Sequence, residues 1–412
     1  MIRFIHAADL HLDSPFKGLK ALPEFIWQSI YHSTFQSLKN IVNLAIEQNV
    51  DFVCLAGDIY DAEDRSVKAQ AYLRKEMNRL YEAAIPVFLI HGNHDFLDDN
   101  GLQLDMPENV YIFGPEIETK KITTKHQENV AVTGFSYAER WVRERKIKEY
   151  PIRSEEADYH IGLLHGFQEG NGSGHHHYAP FSLSELKSRQ YDYWALGHIH
   201  KKQILSQSPF IIYPGNTQGR NRNENGAKGC YLVELSDGKQ DVVFYATAPI
   251  EWREQNCSLK GKQTLQDVYT ELKRIIEEQR ETNKSVLLSV VFEQTDDLME
   301  GVLKKIQSGD LLEGIQQPPQ AAPFVWIVRL DTKRKEETIL PAITKLFPEE
   351  WQLTLAEALQ IETFNKITQS FYEQQPIGKI LDTKDEQYRE KIVQRAEKEL
   401  KQQLGHEGWD LG

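Results

Sequence analysis

Three things are scarce in these 412 residues: cysteine, long apolar runs and positive charge. The three cysteines, Cys54, Cys230 and Cys257, are odd in number, far apart and set mostly in apolar strand-like runs. They exclude a disulfide framework and read as buried free thiols of a protein kept in a reducing compartment. No apolar run reaches 18 residues, and Met1-Ile2-Arg3-Phe4 enters a strand directly, without a basic stretch leading into an apolar core. The expectation is a soluble, cytoplasmic chain with no membrane contact. Forty-eight Lys and Arg against 61 Asp and Glu give a net charge of -13, which excludes a generally basic nucleic-acid-binding surface. What basic character there is falls in local clusters: Arg140, Arg143, Arg145, Lys146 and Lys148, then Lys201 and Lys202, then Arg220 and Arg222. The length and the apolar share of 40% suffice for two or three domains with a sizeable core.

What the sequence does have is a repeated event. Five short apolar runs, the signature of strands buried on both faces, each stop on residues able to bind metal. Ile2 to Ala8 runs into Asp9-Leu10-His11; Asp51 to Ala56 into Gly57-Asp58; and Pro86 to Ile90 into His91-Gly92-Asn93-His94-Asp95. Tyr159 to Leu164 runs into His165-Gly166, and Tyr191 to Leu196 into Gly197-His198-Ile199-His200. A single Asp or His after a strand is usually a turn or cap residue, but five such endings point to ligands gathered beyond the carboxyl ends of strands, where open α/β sheets bind them. The donors are oxygen and nitrogen with no thiolate, a set suited to Mn, Fe or Zn rather than Ca or Mg.

In that order, Asp9-x-His11, Gly57-Asp58, Gly92-Asn93-His94-Asp95, Leu164-His165-Gly166 and Gly197-His198-x-His200 resemble the motifs of the calcineurin-like metallophosphoesterases. The openings around Asp9 and Asp58 resemble the DNA-repair exonuclease branch of SbcD-type nuclease subunits, most of all its YhaO-like group. The motif resemblance covers roughly residues 1 to 235. It implies a four-layer α/β/β/α sandwich and two divalent ions, manganese in this branch, about 3.5 to 4 Å apart. One ion would be held by Asp9, His11, Asp58 and His200, the other by Asp58, Asn93, His165 and His198, with Asp58 bridging. By the same resemblance His94 contacts the scissile phosphate and helps the leaving oxygen depart, with Asp95 orienting its ring. Asp61 stands where some members of the branch carry a His near the substrate; helix capping is its other reading. The triplet His175, His176 and His177 stays outside the ligand set, since adjacent side chains of regular structure cannot all address one ion.

The expected organisation is a phosphoesterase domain over residues 1–250, a small α/β capping domain over 251–335, and a helical C-terminal segment over 336–412. Within the first, Val110 to Phe113, Ile117 to Ile122 and Val130 to Phe135 read as strands of a second sheet. In the last, Tyr388, Ile392, Ala396, Leu400 and Leu404 make an apolar stripe that must be covered, either by the chain's own domain or by a partner. The branch resemblance implies the partner: the coiled coil of an SbcC-like ABC-type ATPase, with DNA as substrate and a second copy of the chain as a further candidate. The function implied is a Mn-dependent DNA exonuclease or endonuclease, of 3′ to 5′ polarity. The alternatives are a phosphatase or nucleotide phosphodiesterase with the same motifs, and a scaffold without catalysis, against which the full ligand set counts.

Overall fold

The computed structural model describes residues 1–16, 19, 22–61, 65–97, 103–169, 178–236, 239–280, 284–333, 347–373 and 386–404. It contains two compact units, Met1–Lys333 and Arg334–Gly412. The first begins with β1 (Ile2–Ala7), α1 (Glu24–Tyr31), α2 (Ser33–Glu47), β2 (Phe52–Ala56), α3 (Val67–Glu82), β3 (Val87–Ile90) and β4 (Val110–Ile112). It continues through β5 (Glu118–Thr123), β6 (Asn129–Gly134), β7 (Tyr159–His165), α4 (Leu183–Ser188), β8 (Tyr193–Gly197), β9 (Gln203–Gln207), β10 (Phe210–Tyr213), β11 (Cys230–Ser236) and β12 (Lys239–Tyr245). A third run follows: β13 (Ile250–Ser258), α5 (Leu265–Arg280), β14 (Ser285–Glu293), α6 (Glu300–Gln307), α7 (Asp310–Ile315) and β15 (Val325–Thr332).

Two six-stranded sheets, ordered β12-β11-β1-β2-β3-β4 and β5-β6-β7-β8-β10-β9, pack face to face. The apolar runs are unbroken because successive side chains serve opposite faces, both covered. In β2, Val53 and Leu55 meet α2 and α3, while Phe52, Cys54 and Ala56 meet the other sheet. Phe4 stacks on Phe52 at 4.7 Å between the sheets, and Phe52 meets Phe88 edge-on at 5.6 Å. The outer face of the second sheet is covered by a thinner layer: short α4, a 3₁₀ turn at Lys146–Glu149, and aromatic loop residues packed on Trp194 and Tyr213. The architecture is thus the four-layer α/β/β/α sandwich, its fourth layer slight.

One local reading needs correction. Val110–Ile112 does not join the second sheet; it pairs parallel with β3, through Val87↔Val110 and Leu89↔Ile112, and forms an edge of the first. The apolar periodicity from Phe25 to Ile46 is carried by two helices that break at His32.

The strands β13, β14 and β15 form a parallel three-stranded sheet with α5, α6 and α7 packed on it. It occupies the stretch assigned above to a capping domain, yet Met1–Lys333 is one compact unit. The reason is a shared apolar cluster in which Phe16, Ile26 and Ile30 pack with Ile250, Trp252, Leu287, Phe324 and Trp326. The second unit contains α8 (Pro348–Leu359), α9 (Ile361–Glu373) and α10 (Glu386–Leu404).

Candidate metal centre

All five strands that were expected to deliver ligands end on one side of the sandwich, β1, β2 and β3 from the first sheet and β7 and β8 from the second. Their turns use a backbone conformation that L-residues rarely adopt, most readily Asn, Asp and His among side-chain-bearing types. Asp9 has φ 53°, His11 45°, Asp58 48° and His198 99°. Each such residue costs about 1–3 kcal/mol and persists only where its surroundings over-determine it. Here backbone bonds do so: Asp9 N–H donates to Gly57 O at 3.0 Å and His11 N–H to Asp58 O at 3.0 Å. His198 N–H donates to the Asp9 carboxylate at 3.0 Å, and His94 N–H to Asp58 Oδ1 at 2.9 Å. Gly92 is required by proximity, since a Cβ there would stand 2.4 Å from Asp58 Oδ1 and 2.7 Å from His165 Nε2.

The side chains so placed form two adjoining groups. Asp9, His11, Asp58 and His200 bring ligand atoms within 4.8 Å of one another, with His11 Nε2 and His200 Nε2 3.1 Å apart. Beside them Asn93 Oδ1 lies 3.0 Å from His165 Nε2 and 3.1 Å from His198 Nδ1. Asp58 stands between the groups: Oδ2 is 3.7 Å from His11 Nε2, and Oδ1 is 3.5 Å from His165 Nε2. The seven expected ligands are therefore brought together. Burial first, and the Asp58 carboxylate second, push the Asp9 carboxyl well above the usual carboxylate range. Burial, then Arg220 and the imidazoles of His200, His94 and His165, holds His11 well below its ordinary value, so its ring is neutral and able to ligate. Two crowded buried carboxylates facing the neutral imidazole of His11 fit a divalent cation, which would relieve the repulsion between the acids.

His94 sits at the edge of this cluster, half-buried, its ring edge-on to His11 at 5.0 Å. Asp95, expected to orient that ring, does not reach it. The fully buried Asp95 carboxylate accepts from the backbone N–H groups of Gly92 at 2.8 Å and Ile59 at 2.9 Å, and from His91 Nδ1 at 2.9 Å. Burial opposes its ionisation, but His91, Arg65 and the Gly92 N–H hold it at about 2. Asp95 therefore braces the turn, and the group that bonds His94 Nδ1 is the backbone carbonyl of Asp61, at 3.1 Å. Asp61 is not a helix cap either, since Ser66 caps α3 by accepting from Ala69 N–H. Its carboxylate pairs with Arg220 and stands 3.1 Å from His11 Nδ1.

Sequence reasoning missed Glu224, whose Oε1 accepts from His200 Nδ1 at 2.7 Å. Burial works against its charge, yet that bond, the His200 ring and Arg220 hold it at about 2. Of the basic clusters, Arg145 is engaged by Glu185 and Glu169 and Lys146 by Glu149, whereas Arg220 lies inside the site. The triplet His175 to His177 lies outside the described residues. All three cysteines are buried and free, and among the described residues no helix is long and apolar enough to cross a membrane.

Residues 2–202 match the calcineurin-like phosphoesterase family. The chain is 38% identical over 351 residues to the uncharacterized metallophosphoesterase YhaO of Bacillus subtilis, covering 84% of this chain and 85% of that one. It is 25% identical over 286 residues to the DNA double-strand break repair protein Mre11 of Methanocaldococcus jannaschii, covering 66% and 73%. With the protein of the same name from Sulfurisphaera tokodaii it shares 25% identity over 360 residues, covering 81% and 82%. Among solved structures, a dimetal phosphatase from Danio rerio matches with a TM-score of 0.40 and 13% identity, covering 60% of this chain and 96% of that one.

Proposed function

Because the chain belongs to the calcineurin-like metallophosphoesterases, we propose that it hydrolyses phosphodiester bonds in DNA with two divalent cations, manganese in the first instance. The observation that carries this reading is the complete, convergent ligand set with one imidazole, His94, kept off it by the Asp61 carbonyl. Relatives named for DNA double-strand break repair, one aligned over 81% of this chain, support DNA as the substrate. A mixed oxygen and nitrogen donor set suits manganese, iron or zinc, and manganese is the ion that the branch resemblance implies.

Asp9, His11, Asp58 and His200 would hold one cation and Asp58, Asn93, His165 and His198 the other. Bound there, divalent cations supply a water of lowered pKa and neutralise the charge that develops in an in-line displacement. The protein's own contribution is placement: strained turns and backbone bonds fix the donors before substrate arrives, which removes reorganisation from the reaction. With Nδ1–H of His94 committed to the Asp61 carbonyl, Nε2 is left for a substrate oxygen; in the doubly protonated ring it carries the proton that passes to the leaving oxygen, and the ring is left neutral. The apolar stripe of α10 is proposed to engage the coiled coil of an ABC-type ATPase.

The test is incubation of the purified chain with end-labelled single- and double-stranded DNA, with Mn2+ and with chelator. Cleavage that requires Mn2+ is expected, shortening from the 3′ end. Absence of cleavage in every format, together with turnover of a chromogenic phosphomonoester, would replace the nuclease reading with a phosphatase one.

A further inference from the structure

His11 and His200 belong to the same donor group, and their Nε2 atoms face each other across it at 3.1 Å. Each therefore turns its other ring nitrogen outward, and each of those nitrogens meets a carboxylate. His200 Nδ1 donates to Glu224 Oε1 at 2.7 Å. His11 Nδ1 is buried without a hydrogen bond, and the atom facing it is Asp61 Oδ1, at 3.1 Å.

One residue joins the two carboxylates. Arg220 donates from Nη1 to Asp61 Oδ1, holds Nη2 3.8 Å from Glu224 Oε1, and donates its backbone N–H to Glu224 Oε2 at 2.7 Å. Asn216 Nδ2 adds a bond to the same Oε2 at 2.8 Å. The three charged side chains are only 12–17% exposed, so solvent screens them far less than a surface pair. A planar guanidinium with a fixed fork of donors suits this bridging task, where the single point charge of a lysine would not.

We infer that Arg220 is a positioning residue for one cation site, setting the outer carboxylates Asp61 and Glu224 that orient the ligands His11 and His200. The inference rests on the metal-centre reading proposed above. Imidazole ligands gain basicity and a fixed ring plane from a carboxylate on the opposite nitrogen; here His200 is hydrogen-bonded to such a carboxylate, His11 has one facing its opposite nitrogen, and a single arginine sets the pair. Two other roles fit less well. A phosphate-binding role needs guanidinium N–H groups aimed at substrate, but Nη1 is committed to Asp61 and Nε is buried, which leaves only Nη2, 3.8 Å from Glu224 Oε1, to turn outward. A third cation beside His11, Asp61 and His94, whose ligand atoms also lie within 4.8 Å, would have to share Asp61 with the guanidinium.

The experiment titrates metal-stripped full chain with Mn2+, following binding by calorimetry and by the electron paramagnetic resonance of free Mn2+. The proteins are the native chain, Arg220→Ala, Arg220→Lys, Asp61→Asn, the pair Asp61→Asn with Glu224→Gln, and the triple variant. The native chain should take two ions. Arg220→Ala should keep that stoichiometry while weakening one affinity about 10- to 100-fold and leaving the other within about 3-fold; Arg220→Lys should recover only part of the loss. In the background lacking both carboxylates, removing Arg220 should add less than about 2-fold, because residues acting through one network are not additive. Unchanged affinities in Arg220→Ala, with or without a raised KM for DNA, would overturn the inference. So would loss of a whole ion equivalent in Asp61→Asn, which would make Asp61 a ligand, or a further large loss in the triple variant. If Arg220→Ala fails to fold, the carboxylate pair decides: selective weakening of one ion upholds the inference and undiminished binding ends it. A native chain that takes no Mn2+ would refute the metal-centre reading itself.

Discussion

Asp58 and His94 touch through a single backbone bond of 2.9 Å, yet their roles separate. Asp58 stands between the two donor groups and His94 outside both, so Asp58→Asn should reduce DNA cleavage to background and lose Mn2+ at both positions. His94→Ala should bind Mn2+ as the native chain does while kcat falls about 10²- to 10⁴-fold. Parallel Mn2+ titration and single-turnover cleavage make the comparison, and loss of metal in His94→Ala would make His94 a ligand. The seven side chains proposed as ligands were legible in sequence because each follows an apolar run and so inherits its place from a strand. Glu224 and Arg220 were not, since they lie in the polar loop after Asn216, where no periodicity marks which side chain turns inward. Asp95 misled by adjacency: next to His94 in the chain, it is turned toward His91 and the Asp58 turn by bonds that only the folded backbone reveals.

That polar loop owes its position to an element which was itself hard to read. Gln218 Nε2 donates to Ile250 O at 2.8 Å, Trp252 Nε1 to Gly219 O at 3.1 Å, and Gly226 N–H to Trp252 O at 2.8 Å. The strand β13 thus grips the loop on both sides of Arg220. Trp252→Phe keeps most of the ring volume but removes one of the two bonds to the Gly219 carbonyl, which retains the bond from Gln218 Nε2 at 3.0 Å; the loss should cost about 0.5–1.5 kcal/mol and weaken one Mn2+ affinity with it. Urea denaturation beside Mn2+ titration checks this; lost stability with both affinities intact would show that the loop is held from elsewhere. In sequence β13 hides because its outer half alternates between covered and exposed positions, Arg253 to Asn256 being polar throughout, whereas β2 and β3 are covered on both faces and read as continuous apolar runs. In the second unit, Arg389 Nε donates to Leu359 O at 3.0 Å, Trp351 Nε1 to Glu397 Oε1 at 3.1 Å, and Tyr388 meets the buried ring of Phe364. If α10 serves a partner as proposed, Ile392→Glu with Leu400→Glu should leave folding and basal cleavage of short DNA unchanged and abolish co-purification with the ATPase. Self-docking instead predicts a lower melting temperature, at about 2–5 kcal/mol for each large aliphatic side chain that was buried.

For the molecule as a whole, two buried histidines set an acid limit. His6, bonded to Tyr193 Oη at 2.9 Å and Leu196 O at 3.1 Å, is held down to about 3 by burial. His160, stacked on Tyr191, is held down to about 4 by burial first and then by Arg153 and Lys121. Below the ordinary value of 6.5 the unfolded chain takes up protons that the folded chain refuses. Stability therefore falls with decreasing pH from about 6.5 toward about 4, by about 1.4 kcal/mol per pH unit for each group. Urea midpoints of the metal-free chain at pH 7.5 and pH 5.0 should converge in His6→Gln relative to the native protein; equal pH slopes would refute the assignment. The grip of β13 on the loop of Arg220 and Glu224 also bears on inheritance. The family match ends at residue 202, after His200, but the carboxylate that orients His200 lies at Glu224 and its support at Trp252. A crossover with a homologue placed at 203 would give ligand and support different parents, whereas one at 333 would leave both with the same parent. Chimeras joined at 203 should bind Mn2+ more weakly than either parent, and those joined at 333 should match the parent that contributes residues 1–333. Exchangeable segments in this lineage are thus delimited by the third sheet, and not by the motifs.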